Sequence, residues 1–386
     1  MPPPTRLRAD ACPGVVSPHP AADGALARVR LPGGTITADA LRAVAGLARA
    51  AGDGAVHLTS RGNLQLRGLD PADPRPVRLL AAAGLLPSTT HERVRNVLAS
   101  PLSGITGGLA DVRGLAAALD RGLCARPALA ALPGRFLFAL DDGRDDVAAE
   151  RPDLCWRARG PGDGELLVAG VATGVRRAPA DAPELLLDAA AAFLRLRDGH
   201  AGDPAARAWR AAELPGAPAR IAEAVGGGRA PAAAGPDAAR GGRPTGVGGL
   251  GGGAWGVAPV LGELAADRLD LLADECGGAL LVTPWRTLVL PRPRPGATGR
   301  LAAAGLVVGP GHPATLVSAC AGAPGCAKSL ADVRAHARAL IGRGPLGPVH
   351  VSGCARRCGA PHSAHTDAVA TGAATYLIDG RTGVLR

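Results

Sequence analysis

Residues 55–69 read AVHLTSRGNLQLRGL and residues 279–291 read ALLVTPWRTLVLP. The two align without gaps over most of their length. Each is a short β-type run, a small turn around a threonine and an arginine, and a second alternating run, the pattern of a hairpin with one buried face. In the first, Leu64, Leu66 and Leu69 fall on one side and Gln65 and Arg67 on the other. Upstream of each hairpin the period becomes helical. Leu41, Val44, Leu47 and Ala48 recur in one stretch, and Leu264, Leu269, Leu272 and Ala273 in the other. Breaks at Gly52–Gly54 and Gly277–Gly278 separate helix from hairpin. Downstream, AAAGLLPSTTHERVRNVLASPLSG is matched in outline by AAAGLVVGPGHPATLVSACAGAPG. These echoes imply an internal duplication, each copy an α+β unit of helix and hairpin. A large ligand on the pseudo-twofold axis could take side chains from both copies; duplication for packing alone is the alternative.

The 386 residues suffice for two or three domains. Hydrophobic residues are 47% but aromatics only 2%, so the core must be Ala, Val and Leu. Of 43 basic residues only Lys328 is lysine, a compositional bias that leaves any single arginine uninformative. The net charge of +10 favours acidic partners. Nucleic acid is disfavoured, because stacking aromatics are few and the arginines are scattered. The start, MPPPTRLRAD, lacks an apolar leader, and no run of 18 apolar residues occurs, so a soluble cytoplasmic protein is expected. Residues 225–253, rich in Gly, Ala and Pro, read as a flexible linker.

Four of the 8 cysteines fall near the end of the chain, as Cys320-x5-Cys326 and Cys354-x3-Cys358. In a reducing compartment such clustering points to metal or redox chemistry. Zinc suits the x3 pair but not the x5 pair. A [4Fe–4S] cluster is wider and tolerates looser spacing, and the small residues between the cysteines let backbone N–H groups turn toward sulfur. Four unconnected buried thiols are the third possibility. The run KSLADVRAHARALIG, with Leu330, Val333, Ala337, Leu340 and Ile341 on one face, predicts a helix starting just after Cys326. PVHVSGC predicts a strand delivering the second pair, with Arg356 and Arg357 between its cysteines. Cys124, Cys155 and Cys276 read as buried apolar residues, and Cys12 lies outside the regular elements.

This cysteine arrangement resembles the cluster motif of the sulfite and nitrite reductase hemoprotein family, in which the last cysteine, here Cys358, bridges the cluster to siroheme iron. LTSRGNLQLRGL resembles that family's T-[TS]-R-x-x-[LF]-Q segment, with Arg61 and Gln65 in place, and RVRNVLASPLSG its R-N-V segment, with Arg95 and Asn96. Within the family the precorrin-3B synthase branch is the better match, through ACPGVV…ADGALARVRLPGG, SRGNLQLRGL and FALDDGRDD. The reductases carry two lysines in a segment like P-R-K-F-K; here LPGRFLFAL places Arg135 and Leu137 at those positions. Losing a cation to Leu137 argues against sulfite reduction, which needs several cationic proton donors.

The resemblance implies an α+β, internally duplicated sulfite/nitrite reductase-like fold with two ferredoxin-like half-domains and two larger α/β domains. The expected boundaries are a half-domain at 15–75, an α/β domain at 80–215, the linker, a second half-domain at 254–310 and a cluster-binding domain at 311–386. It implies an O2-dependent hydroxylation of precorrin-3A at C20 with closure of a γ-lactone, a [4Fe–4S] cluster held by Cys320, Cys326, Cys354 and Cys358, and an external electron donor. A second, non-heme iron could meet O2, with His362, His365 and His91 as candidate ligands. An acidic tetrapyrrole needs spaced guanidinium and amide groups, for which Arg61, Gln65, Arg67, Arg95, Asn96 and Arg135 are the candidates. A siroheme-dependent sulfite or nitrite reductase is the second reading, and a non-catalytic metal protein the third.

Overall fold

The computed structural model describes residue 10 and residues 12–199, 208–226 and 246–385. They form two compact units. One gathers the described residues of 17–29, 36–83 and 245–386, the other those of 12–16, 30–35 and 84–244.

The first unit contains both hairpins. Its first sheet runs His19–Ala21, Gly24–Val29, Leu64–Leu69, Ala55–Leu58, Glu263–Ala265; its second runs Gly248–Gly251, Ala254–Val257, Leu288–Leu290, Ala279–Val282, Thr35–Thr37. Each sheet is thus completed by a strand from the other copy. The exchange is reciprocal in detail. Ala38 N–H donates to the Gly278 carbonyl and Ala266 N–H to the Gly54 carbonyl, both at 2.9 Å. These bonds satisfy N–H groups that a helix start leaves open. Helix Ala38–Ala51 buries Leu41, Val44, Leu47 and Ala48, as its spacing predicts, and packs on helix Ala266–Glu275. Burying each of the larger side chains is worth about 1.5–3 kcal/mol. Leu264 is a correction: it belongs to strand Glu263–Ala265, because pairing with Val56 claims it before the helix begins.

The hairpin turns repeat bond for bond. Thr59 N–H donates to the Asn63 carbonyl at 3.0 Å, and Thr283 N–H to the Thr287 carbonyl at 2.9 Å. The third turn residue is left-handed in both, at φ 62° in Gly62 and 59° in Arg286.

The same unit carries a third sheet. Strands Val317–Ala319, Val349–Ser352 and Thr366–Ala370 are parallel, and Tyr376–Ile378 and Arg381–Gly383 extend it antiparallel. Helix Val333–Arg343 buries Val333, Ala337 and Leu340 on it.

The second unit repeats that plan with Val97–Ala99, Phe138–Asp141 and Leu154–Gly160 parallel and Asp163–Val168 and Val171–Arg177 antiparallel. All three phenylalanines of the chain, Phe136, Phe138 and Phe193, sit in its core with Trp156. This unit takes in residues 12–16 and 30–35 as well as the segment from 84, so it is wider than the expected 80–215. The linker expectation is corrected at its C-terminal end. Gly248–Gly251 form an edge strand because Ala254–Val257 supplies the partner. Residues 227–245 of that stretch lie outside the described residues. Among the described residues no helix is long and apolar enough to cross a membrane.

Candidate metal centre

Strands Val317–Ala319 and Val349–Ser352 are neighbours in parallel register, with Ala319 opposite Val351. Their carboxyl ends therefore release Cys320 and Cys354 at the same edge of the sheet, where ligands gather in such folds. Cys320 N–H donates to the Val351 carbonyl at 3.1 Å, and Gly353 N–H donates to Cys320 Sγ at 3.2 Å. The first cysteine of each pair thus rests on a strand end. The second lies in a loop: Ser329 N–H donates to the Cys326 carbonyl at 2.9 Å, and Cys358 is exposed.

Cys326 does not abut a helix N-terminus, a correction to the sequence expectation. The helix starts at Val333 behind the cap Asp332, whose carboxylate accepts from Ala335 N–H at 3.0 Å. The intervening residues are tied to the cysteine loops instead, Leu330 N–H to the Gly353 carbonyl at 2.9 Å and Ala323 N–H to the Ala331 carbonyl at 3.0 Å. Leu330, expected on the apolar face, is 54% exposed.

Burial pushes the Cys358 thiol up, the Arg356 charge pulls it down, and the nearby Cys320, Cys354 and Cys326 add to the rise. Among the described residues the only three ligating side chains within 4.8 Å of one another are Asp141, Asp142 and Asp146. Two cysteine pairs released at one sheet edge, one sulfur carrying a backbone N–H, are a donor set that fits a [4Fe–4S] cluster.

The remaining predicted residues divide sharply. Arg67 is 6% exposed and bidentate on Asp23, both bonds at 2.8 Å, and its Nη2 donates to the Gly325 carbonyl at 2.5 Å, beside Cys326. Arg95 is bidentate on Asp120 at 2.7 Å and donates to the Leu85 carbonyl. Asn96, fully buried, gives its amide to the carbonyls of Arg93, Gly134 and Phe136. These three are committed to internal contacts, because each guanidinium or amide meets a buried acceptor that needs it. Gln65 is half-buried in a cross-strand row with Arg28 and His57, and Arg61 is half-buried in the hairpin turn. Arg135 is exposed over the Trp209 ring, 6.0 Å from its centroid. Leu137 is buried among Leu98, Ala139, Val147, Cys155 and Leu167.

Of the histidines, His91 is buried and bonded to Ser88, Thr90 and the Arg126 carbonyl in the other unit from the cysteines. His362 is exposed, and His365 Nδ1 pairs with the Ser363 carbonyl at 2.7 Å. Sequence reasoning missed His350. It is fully buried on the strand that leads to Cys354, with Nδ1 on Ser318 Oγ of the neighbouring strand at 2.8 Å. Burial, then the Arg286 and His365 charges, push its pKa down to about 4, which keeps the ring neutral. Cys155 and Cys276 are buried as expected, and Cys124 and Cys12 are half-buried.

The duplication reaches this site. Ser100 N–H donates to the Leu140 carbonyl at 3.1 Å and Asp142 N–H to Ser100 Oγ at 3.1 Å, the same pair of bonds that Cys320 and Gly353 make. Ser100 therefore stands where Cys320 stands in the other copy, and Asp141, Asp142 and Asp146 line the counterpart strand end. Asp141 accepts from the N–H groups of Gly143, Asp145, Val147 and Ala148, and Arg144 pairs with Asp142. One copy shapes this strand end with thiols, the other with carboxylates.

Comparison with known proteins supports the fold. Residues 19–82 match the family described as nitrite/sulfite reductase ferredoxin-like half domain. A precorrin-3B synthase of Sinorhizobium sp is 28% identical over 381 residues, covering 92% of this chain and 79% of that protein. A ferredoxin–nitrite reductase of Synechococcus elongatus is 36% identical over 140 residues, 34% of this chain and 27% of its own length. The structure of Mycobacterium tuberculosis NirA protein superposes with a TM-score of 0.73 at 24% identity, covering 92% of this chain and 74% of that one, and so shares the fold. The chain has a sulfite/nitrite reductase-like α+β fold and is similar over most of its length to a precorrin-3B synthase.

Proposed function

We propose that this protein is an oxidoreductase that hydroxylates precorrin-3A at C20 with O2 and closes a γ-lactone, using a [4Fe–4S] cluster held by Cys320, Cys326, Cys354 and Cys358. The observation that carries the choice over a reductase is Leu137. Its side chain is 3% exposed in an apolar cluster, where it can offer no proton to a small anion. The similarity to the Sinorhizobium sp precorrin-3B synthase, along 92% of the chain, supports the same reading.

The cluster would supply single electrons, which no side chain can do. The chain's own residues hold and orient. Gly353 N–H steadies Cys320 Sγ, and the neutral His350 ties the strand leading to Cys354 to Ser318 on the strand leading to Cys320. The exposed Arg356 near Cys358 and the half-buried Arg61 and Gln65 are the groups proposed to meet the acetate and propionate arms of a tetrapyrrole. Hydroxylation by O2 consumes two electrons and releases water, so an external donor is part of the proposal. If a second, non-heme iron takes part, His362 and His365 are the candidates nearest the cysteines in sequence.

The similarity to ferredoxin–nitrite reductases favours a second reading, a siroheme-dependent reductase. One experiment separates the two. Purified protein is assayed anaerobically for iron, acid-labile sulfide and visible absorbance, then incubated with precorrin-3A, O2 and a reductant. Labile sulfide without sharp siroheme bands, together with a hydroxylated lactone by mass spectrometry, supports the proposal. Siroheme bands with sulfite or nitrite turnover would sink it.

A further inference from the structure

The four cysteines are held unequally. Cys320 and Cys354 leave strand ends, whereas Cys326 and Cys358 lie in loops. Each loop cysteine has a glycine beside it, and each of those glycine carbonyls takes a guanidinium from a different ferredoxin-like half-domain. Arg67 donates to the Gly325 carbonyl at 2.5 Å, and Arg286 Nη2 to the Gly359 carbonyl at 2.8 Å.

The duplication supplies an internal control for Arg286. Its hairpin turn has the same hydrogen bonds as the turn holding Gly62, and both residues are left-handed. Glycine adopts that conformation without strain, and arginine does not. Strain of this kind persists where the surroundings require the side chain. The glycines fit the same account. A Cβ on Gly359, itself at φ 81°, would overlap Arg286 Nη2, and one on Gly325 would come within 3.1 Å of Arg67 Nη2.

We propose that Arg286 and Arg67 are positioning residues that lock the loop cysteines Cys358 and Cys326 at cluster-binding distance, through the carbonyls of Gly359 and Gly325. This rests on the cluster reading above. A hydrogen bond from a cation to a carbonyl is stronger than one from a neutral donor and fixes its direction. It also leaves positive charge near an anionic cluster.

The test uses full-length protein as purified, comparing wild type with Arg286→Gly, Arg286→Lys and Arg67→Lys. Loss of visible absorbance is followed after addition of a chelator, and the thermal midpoint is measured on the same samples. Loss of such a supporting contact weakens metal retention by about 10–100-fold. Arg286→Gly is therefore expected to lose its cluster at least about tenfold faster, with a thermal midpoint equal to or above wild type, since the strain is relieved. Arg286→Lys falls between, because it keeps a cation but not the fork. Arg67→Lys also bleaches faster. The proposal is overturned if Arg286→Gly keeps its cluster as long as wild type, or loses it only with a lowered midpoint. Absence of labile sulfide in wild type, assayed first, overturns the cluster reading itself.

Discussion

Gly353 donates its backbone N–H to Cys320 Sγ at 3.2 Å, joining the two cysteine loops through one hydrogen bond across adjacent parallel strands. The position also has no room for a side chain. A Cβ on Gly353 would overlap Ser329 Oγ, which itself bonds the Ala331 carbonyl at 2.8 Å. Gly353→Ala is expected to push the 326–329 turn aside and lower cluster retention by about tenfold or more. Iron and labile sulfide per chain, measured after gel filtration, check this.

The cysteines themselves separate by role. Serine at any of Cys320, Cys326, Cys354 or Cys358 is expected to abolish labile sulfide. Cys276→Ala is expected to leave it unchanged, because that thiol is 1% exposed and its Sγ faces the Ala273 carbonyl. Equal loss in all five variants would contradict the assignment.

Arg95 braces the fold. Its side chain is 4% exposed and that of its partner Asp120 15%. Removing one member of such a pair strands the other charge. Arg95→Ala is expected to cost about 3–5 kcal/mol of unfolding free energy, read from the denaturant midpoint. A variant that kept wild-type stability but raised KM for the tetrapyrrole would return Arg95 to the substrate site.

Asp146 makes stability depend on pH. Desolvation first, then the Asp141 charge, raise its pKa from 3.8 to about 7, against the pull of Ser100 Oγ; Asp142 adds to the rise. The folded state therefore binds a proton that the unfolded chain releases, so this group's contribution falls as pH climbs from about 4 through 7. The penalty is complete above that window and absent below it. Asp146→Asn keeps an acceptor for Ser100 and carries no charge. It is expected to raise the thermal midpoint at pH above 7 and to gain little near pH 4, with a free-energy gain on the order of 4 kcal/mol at most. Parallel pH–midpoint curves for the two proteins would rule this out.

Much of the architecture was legible in the chain because it depends on neighbours in sequence. Alternation around Leu64 and Leu66, helical spacing from Leu41 to Ala48 and the repeat of one hairpin by the other are short-range patterns, and all carry through to buried faces. PVHVSGC reads as a strand by itself and is one at Val349–Ser352, whereas the parallel neighbour that brings Cys320 beside it had no such signal. Arg286 was visible only as the arginine of the second turn; its equivalence to Gly62 came from the matching turn bonds and left-handed φ. Its meaning was not visible there, because the Gly359 carbonyl lies 73 residues away.

What the tertiary structure alone decided is which polar groups are taken. Composition made every arginine equally uninformative, and motif resemblance singled out Arg61, Arg95 and Asn96, with Arg67 in the same segment as Arg61. Burial then divided them. Arg67 found Asp23 and the Gly325 carbonyl, 258 residues on; Arg95 found Asp120; Asn96 found three carbonyls. A buried guanidinium or amide must meet acceptors wherever the chain happens to bring them, so its partner is a property of packing. The same holds for the exchanged strands Thr35–Thr37 and Glu263–Ala265 and for the edge strand Gly248–Gly251. Three or four residues of that kind have no pattern of their own and become strands only when a neighbouring backbone offers its hydrogen bonds. Local order was written in the sequence by itself; the allocation of charge and of unpaired backbone was settled by the fold.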